Sequence, residues 1–400
     1  MKKDYSKHPF VLFFSYFKPH RTLFAIDMFC AIAVAAIDLI FPFVSKKSME
    51  LYLPNHLFKT FFIVMGIIIA AYVLRSVFYY IITVFGHKMG VLVEADMREE
   101  VFSHMQELSF SFYDNNRTGV LMSRITTDLF DITELAHHGP ENVVISVLTL
   151  AGSLSVLMTV NWKLALVLAI VIPIFIFFTQ RQRTNMLKAN LEVKKKTAEI
   201  NASIESSISG IRTAKAFVNE STEESKFKKS NDMFKTAKAD YYKAMGVFHG
   251  GMEFTMGIMQ VIVITFGGYL IMRGEMNYID LLTFTLYVST FLSAVRTLAT
   301  FMEMFMQGSA GFSRFLEIMR TEPDIKDAPD AVDAGVLRGD IVYNNVSFNY
   351  DDGTCVLKNI NLSIKAGESF ALVGPSGGGK TTMCHLLPRF YDVTAGAITI

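Results

Sequence analysis

The chain has 400 residues, of which 51% are hydrophobic and 19% are charged, and its formal net charge is +1. A soluble chain usually contains about 25% charged residues, and the high apolar content excludes a disordered or collagen-like protein. The near-neutral charge gives no electrostatic reason to expect a nucleic-acid partner. The cysteines, Cys30, Cys355 and Cys384, are widely spaced, so the sequence predicts neither a disulfide framework nor a zinc site. This composition favours a membrane protein.

The first element is a short aromatic stretch, 10–17, that ends in a basic cluster. This combination is typical of a helix lying in the membrane interface. The alternative is that the stretch is the frayed start of the first membrane span. We assign 1–22 to a cytoplasmic amino-terminal segment that contains this interfacial elbow helix.

Six apolar stretches follow, each near the 20 or so residues that a helix needs to cross about 30 Å of hydrocarbon. With the amino terminus inside, about 23 basic residues fall in the inner connections and about 4 in the outer ones. The sequence therefore predicts a multi-pass membrane protein with a cytoplasmic amino terminus. The predicted spans are 23–45, 57–86, 142–160, 162–180, 245–272 and 278–306.

The two inner connections between these spans are about 55 and 65 residues long, far beyond the length of ordinary loops. Their content of Ala, Glu, Lys, Met and Leu predicts long helices at 91–108, 122–135, 183–207 and 219–243. We therefore expect the membrane helices to continue into the cytoplasm, and we assign 23–308 to one transmembrane domain.

The pattern changes after an acidic, proline-containing stretch within 309–337, which predicts a linker. Short β-branched and aromatic runs at 341–348, 356–364 and 369–373 predict strands, so 338–400 is the start of an α/β domain. The expected fold class is an α-helical membrane domain, with six transmembrane helices and long cytoplasmic extensions, followed by the start of an α/β P-loop NTPase domain.

A glycine-rich loop follows the third predicted strand. Its sequence, GPSGGGKT, satisfies the phosphate-loop pattern GxxxxGK[ST]. Residues without a Cβ let successive backbone N–H groups face phosphate oxygens. Lys380 is expected to contact the β- and γ-phosphates of ATP, and Thr381 is expected to give its hydroxyl to Mg²⁺. The alternative is a purely structural turn. The predicted nucleotide-binding residues here are Gly374, Pro375, Ser376, Gly377, Gly378, Gly379, Lys380, Thr381 and Thr382.

Over essentially its whole length the sequence resembles the ATP-binding cassette (ABC) exporters of the half-transporter type. Residues 109–129, SFSFYDNNRTGVLMSRITTDL, resemble the first intracellular loop, with its short coupling helix near 110–116. Residues 209–220, SGIRTAKAFVNE, resemble the second coupling-helix region. The stretch VSFNY, followed by a turn and the run VLKNINLSIKAGESFALVGPSGGGKTT, resembles the opening of the cassette, in which Tyr350 matches the aromatic residue that stacks on adenine. The alternative is that Tyr350 is only a tyrosine at the end of a strand.

The resemblance implies ATP-driven export of an amphipathic, drug-like, lipid or peptide substrate across the plasma membrane, with the nucleotide-binding domain in the cytoplasm. It also implies a second half-transporter, in a homodimer or a heterodimer, because the family binds ATP between two subunits. The family's second acidic strand, catalytic glutamate and signature motif are expected beyond residue 400, so no catalytic base is assigned. The alternatives are a truncated, non-catalytic membrane subunit that regulates a partner, and an importer of the same architecture.

Ionisable residues inside membrane spans are candidates for function because a charge in hydrocarbon is costly. In the exporter family the fifth and sixth spans line the central cavity. The alternative roles for the charges are interhelical ion pairs or snorkelling near a membrane face. The alternative for the methionine stripe, Met252, Met256 and Met259, is that it faces lipid or the core of the helix bundle. The ionisable candidates are Asp27, Asp38, Arg75, Glu253, Arg296 and Glu303. The predicted substrate-cavity residues are Glu253, Met256, Arg296 and Phe301.

Overall fold

The computed structural model describes residues 3–350 and 353–400. The first two residues of the predicted amino-terminal segment, and the turn after Tyr350, lie outside this described part. Residues 9–320 are almost entirely helical. The helices are α1 (Pro9–Ser15), α2 (Arg21–Leu51), α3 (Phe58–Ile81), α4 (His87–Glu107), α5 (Phe110–Asn115), α6 (Thr118–Ile125), α7 (Thr127–Val160), α8 (Trp162–Ser209), α9 (Ile211–Ala216), α10 (Glu220–Met272), α11 (Tyr278–Arg320) and α12 (Lys380–Leu386).

Within the described part, six helical stretches of 31 to 53 residues are long and apolar enough to cross a membrane. One of them joins α3 and α4 through a π-helical turn, Ile82–Gly86, into a stretch of 50 residues. At a rise of 1.5 Å per residue, α10 extends for about 80 Å, more than twice the thickness of the hydrocarbon layer. The helices therefore continue well past the apolar stretches, as the long connections predict. The helix predicted at 122–135 is interrupted at Thr126, whose side chain donates a hydrogen bond to the Met122 carbonyl.

The chain divides into two compact units. The first unit contains the described part of 1–29 together with 81–141 and 300–400, and the second contains 30–80 and 142–299.

The core of the second unit is formed by the apolar faces of α8, α10 and α11. Phe284 and Tyr287 of α11 are fully buried in it, and the Tyr287 hydroxyl donates to the Leu39 carbonyl at 2.7 Å. Asp38 and Arg75 form an ion pair between α2 and α3, with Nη2 of the arginine 2.9 Å from a carboxylate oxygen. These two residues thus follow the ion-pair alternative. Beyond the apolar stretch, Ser207 of α8 donates to the Glu223 carboxylate of α10 at 2.7 Å.

The helical core of the first unit lies where α1, α4, α7 and α11 meet. Met89, Met97, Leu129 and Phe315 are buried there. The two methionines lie on the same face of α4 because they recur at helical spacing. Arg314 of α11 donates two hydrogen bonds, of 2.6 and 2.7 Å, to the buried Asp128 carboxylate of α7. This bidentate pair ties two helices that are distant in sequence.

The first unit also contains a small antiparallel sheet in the order β2-β1-β3, formed by β1 (Ile341–Asn349), β2 (Cys355–Ile364) and β3 (Ala395–Thr399). Tyr343 of β1 packs under α12, and its hydroxyl donates to the Met383 carbonyl at 3.0 Å. The strand predicted at 369–373 is wrong, because none of the described strands pairs with this segment. It is an irregular stretch in which Val373 is exposed.

Candidate functional site

The phosphate loop joins the irregular segment before Gly374 to the start of α12. Gly377 and Gly379 have φ angles of +84° and +79°, a region that favours glycine. A Cβ on Gly379 would lie 2.7 Å from the Leu357 Cδ2 and 3.2 Å from the Val356 Cγ1 of β2. Gly379 is therefore required both by its backbone conformation and by the close approach of the loop to β2.

Lys380 closes the loop on itself. Its ammonium group donates to the carbonyl oxygens of Gly374, at 2.9 Å, and Pro375, at 2.7 Å. An ammonium group has three N–H donors, so these two bonds leave one donor for a phosphate oxygen. The geometry places a positive charge within the curve of the predicted phosphate loop.

The two threonines after Lys380 have different surroundings. Thr381 is exposed, whereas Thr382 is buried and its hydroxyl lies 3.1 Å from the Tyr350 hydroxyl. The Tyr350 ring contacts Phe348 and Tyr391 edge to face, with centroids 4.9 and 5.6 Å away. The structure thus brings the predicted adenine-stacking residue to the first turn of α12. The residues fit a nucleoside triphosphate with Mg²⁺: a backbone cradle that a Cβ would fill, a lysine at its centre and an exposed hydroxyl beside it.

The predicted substrate-cavity residues fall into two groups. In the second unit, Arg296 donates to the Glu253 carboxylate at 2.5 Å, and its Nη2 lies 3.6 Å from the Met256 sulfur. Phe301 belongs to the first unit, where its ring lies 6.0 Å from that of Phe305. The side chains of Arg296 and Glu253 are 46% and 63% exposed even though they are paired. The structure therefore assembles three of the four residues around one ion pair.

The methionine stripe divides as well. Met252 and Met259 are buried in the core of the second unit, so the core-packing alternative describes these two residues. Met256 is only partly buried and contacts Arg296.

Residues directly after α12 contact the short helix α5. The rings of Phe110 and Phe390 stack, with centroids 4.8 Å apart and planes 7° apart. The Tyr391 hydroxyl donates to the Asp114 carboxylate, and the His385 ring lies 6.2 Å from Phe110. The sequence predicted a coupling helix here but not its contacts. The adjacent aromatic residues at 390 and 391 were the available signal.

The same short helix is anchored to α4, which continues from a membrane-spanning stretch. The Tyr113 hydroxyl donates to the Met105 carbonyl in the last turn of α4, and burial raises the pKa of this phenol. Ser111 of α5 donates a hydrogen bond to the Asp324 carboxylate in the linker after α11. Helix α5 thus contacts α4, the linker and the segment that follows α12.

Two family models match the chain. The ABC transporter transmembrane region matches 24–295, and the ABC transporter model of the ATP-binding domain matches 357–400. The chain belongs to the ABC transporter family. This ABC transporter is a multi-pass membrane protein whose helical membrane domain precedes the start of an ATP-binding cassette.

Named relatives support the same assignment over nearly the whole chain. The ABC transporter ATP-binding protein YwjA of Bacillus subtilis (strain 168) is 41% identical over 97% of this chain and 68% of its own length. The ATP-dependent lipid A-core flippases of Syntrophus aciditrophicus (strain SB) and Desulfotalea psychrophila are 32% and 30% identical over 96% of this chain, which covers 64% and 67% of those proteins. The chain thus spans about two thirds of the length of these relatives.

Proposed function

We propose that this protein is one half of an ATP-driven exporter that moves an amphipathic, lipid-like substrate across the plasma membrane. The contact of α5 with Phe390 and Tyr391 carries the proposal, because α5 is hydrogen-bonded to α4 and thereby joins a membrane-spanning stretch to the segment directly after α12. The names of the flippase relatives support a lipid-like substrate. They favour export over the importer and regulatory-subunit alternatives.

ATP would be held by the predicted phosphate-loop residues. The backbone of 374–379 would bind the phosphates, Lys380 would contact the β- and γ-phosphates, and Thr381 would bind Mg²⁺. Tyr350 would stack on the adenine ring. Hydrolysis of bound ATP would supply the free energy for transport.

Lys380 offers a direct way to sense the nucleotide. Its ammonium group donates hydrogen bonds to the carbonyls of Gly374 and Pro375. A triphosphate offers charged oxygens, which form stronger hydrogen bonds with an ammonium group than neutral carbonyls do. Binding would therefore pull the ammonium group of Lys380 toward the phosphate through its remaining N–H donor, and this would shift the start of α12. Phe390 and Tyr391 would transmit this change to α5, and through it to α4 and α6.

The ion pair of α10 and α11 is the proposed polar contact for the substrate. Glu253 and Arg296 lie in otherwise apolar spans, and both side chains remain about half exposed. An exposed charge pair beside an adaptable methionine suits a molecule with a charged head and an apolar body. A second half-transporter, identical or related, would complete the cavity and the ATP site.

The test is a flipping assay on the full-length protein in liposomes that contain a fluorescent lipid. Addition of ATP outside the liposomes energises only transporters whose cassette faces outward. Lipid should then move from the outer to the inner leaflet, as measured by protection from a membrane-impermeant quencher.

Lys380→Ala should abolish this movement, whereas Lys365→Ala, which removes an exposed lysine outside the loop, should leave it intact. Undiminished flipping by Lys380→Ala would contradict the proposal, and movement in the opposite direction would support an importer instead.

A further inference from the structure

Three histidines of the first unit come together next to the π-helical turn. His87 is the first residue of α4, and His137 and His138 are adjacent on α7. One ring nitrogen of each residue lies within 4.8 Å of those of the other two. Their ring centroids are 4.1 to 5.2 Å apart. The phosphate loop and the substrate-cavity ion pair include none of these residues.

The hydrogen bonds of the three rings leave one nitrogen of each available. Nδ1 of His87 and Nδ1 of His137 each lie 2.7 Å from a backbone carbonyl four residues earlier. Because a carbonyl oxygen only accepts hydrogen bonds, each of these Nδ1 atoms carries the proton. Nδ1 of His138 lies 3.4 Å from the Glu141 carboxylate. With the proton on Nδ1, the lone pair is on Nε2. Histidines that bind a metal through one ring nitrogen usually donate a hydrogen bond from the other ring nitrogen to a carbonyl or a carboxylate, as these three do.

Two buried groups at this place have no hydrogen-bond partner. His137 is only 4% exposed, and its Nε2 is unpartnered; the Glu134 carboxylate is 3.9 Å away, beyond hydrogen-bond distance. Asp27 of α2 is fully buried, and neither of its carboxylate oxygens has a partner. Its charge interacts with those of Glu141 and His138. A buried unpaired carboxylate is costly, and a cation shared with the imidazoles would relieve that cost.

Two glycines make room for these groups. A Cβ on Gly90 would lie 2.9 Å from Nδ1 of His137, and a Cβ on Gly86 would lie 3.2 Å from Oδ1 of Asp27. Gly86 is the last residue of the π-helical turn, and such turns often occur at functional sites. The local backbone is therefore shaped around His137 and Asp27.

We propose that His87, His137 and His138 bind a divalent transition-metal ion of the Zn²⁺ class, whose charge the buried carboxylate of Asp27 nearby balances. Imidazole nitrogens suit Zn²⁺, Ni²⁺ and Cu²⁺, whereas Mg²⁺ and Ca²⁺ prefer oxygen ligands. Zn–N bonds of about 2.0 to 2.1 Å in a tetrahedral site place ligand nitrogens roughly 3.3 Å apart. The partly exposed rings of His87 and His138 can close the remaining distance by side-chain rotation. The bound ion would tie α4 and α7 together.

The test uses the full chain, purified in detergent with an affinity tag that lacks histidine and stripped of metal with a chelator. Zn²⁺ affinity is measured by competition with a chromophoric chelator, and Co²⁺ binding by the visible absorption of tetrahedral cobalt. We expect one Zn²⁺ per chain, a tetrahedral Co²⁺ spectrum and no competition by excess Mg²⁺.

Variants separate the site from general folding effects. His87→Ala removes an exposed ring, so the fold should survive while Zn²⁺ affinity falls by at least about a hundredfold. Asp27→Asn should weaken Zn²⁺ binding by about tenfold or more. His249→Ala, which removes an exposed histidine of the second unit, should bind Zn²⁺ as the unmodified chain does.

The proposal is overturned if the unmodified chain binds no Zn²⁺ more tightly than His87→Ala does, or if bound Co²⁺ is octahedral. Because the readout is metal binding, it does not depend on whether the chain exports a lipid.

Discussion

Gly379 links the backbone of the phosphate loop to the packing of β2. We expect Gly379→Ala to lower the affinity for an ATP analogue by more than about tenfold, because the new methyl group would displace either Leu357 or the loop. Gly367→Ala is the matched control: Gly367 has a φ of +78° but no atom within 4 Å of its Cβ position. Fluorescence titration of the nucleotide measures the difference. Equal losses in the two variants would refute the role of close approach.

Tyr350 lets base stacking be separated from phosphate binding. We expect Tyr350→Ala to weaken ATP binding by about tenfold, the loss of roughly one aromatic contact, while binding of inorganic triphosphate stays unchanged. Tyr350→Phe keeps the ring but loses the contact of its hydroxyl with Thr382, so it should bind ATP almost normally. Competition titrations with both ligands decide the matter. An equal loss for ATP and triphosphate would show that Tyr350 acts only by supporting the loop.

The pair of Asp128 and Arg314 is the clearest stabilising ion pair of the first unit. Arg314→Ala would leave the buried Asp128 carboxylate without its two hydrogen bonds. We expect a loss of about 1 to 3 kcal/mol, below the value for a fully buried pair because Arg314 is partly exposed. Thermal unfolding in detergent measures it. Lys235→Ala, which removes one partner of an exposed pair, should change the melting temperature little, and an equal shift in both would contradict this account.

At the scale of elements, the contact between α5 and the segment after α12 should be needed for transport but not for nucleotide binding. Phe110→Ala removes the ring that stacks on Phe390. We expect ATP affinity to be retained while lipid flipping falls by at least about tenfold. Without the stacked ring, movement of the nucleotide-binding domain would no longer be transmitted to α5. Phe102→Ala, at an exposed phenylalanine of α4, is the control. Normal flipping by Phe110→Ala would show that α5 does not couple ATP binding to lipid transport.

The elements that the sequence predicts well are those that need no partner. An apolar run of about 20 residues specifies a membrane helix by itself, and the phosphate-loop pattern is recognisable from eight consecutive residues. The segment 369–373 was predicted wrongly because a strand exists only where a neighbouring strand accepts its hydrogen bonds.

The histidine cluster was missed for a related reason. His87 and His137 are far apart in sequence. The spacing of the cysteines predicts no zinc site, but that spacing says nothing about a site made of histidines. The adjacent histidines at 137 and 138 were the only local signal, and the π-helical turn that positions His87 has no sequence pattern of its own.

At the scale of the whole molecule, the positive-inside pattern predicts which side of the membrane each connection faces. Cys355 and Cys384 are exposed, whereas Cys30 is buried. A membrane-impermeant maleimide should therefore label the first two in inverted vesicles but not in intact cells. A variant with Asn55→Cys, in which Cys355 and Cys384 are replaced by serine, should show the opposite pattern. Labelling of Cys355 in intact cells would invert the predicted topology.

The length of α10 gives small rotations a large effect. The part of α10 that precedes the apolar stretch, 220–244, is about 37 Å long at 1.5 Å per residue. A tilt of only about 5° around the membrane end would move the far end by roughly 3 Å, more than the length of a hydrogen bond. The hydrogen bond between Ser207 and Glu223 joins α8 and α10 near that far end, so the two helices would move together. A modest angular change at the membrane would thus be amplified into a displacement large enough to exchange one set of contacts for another.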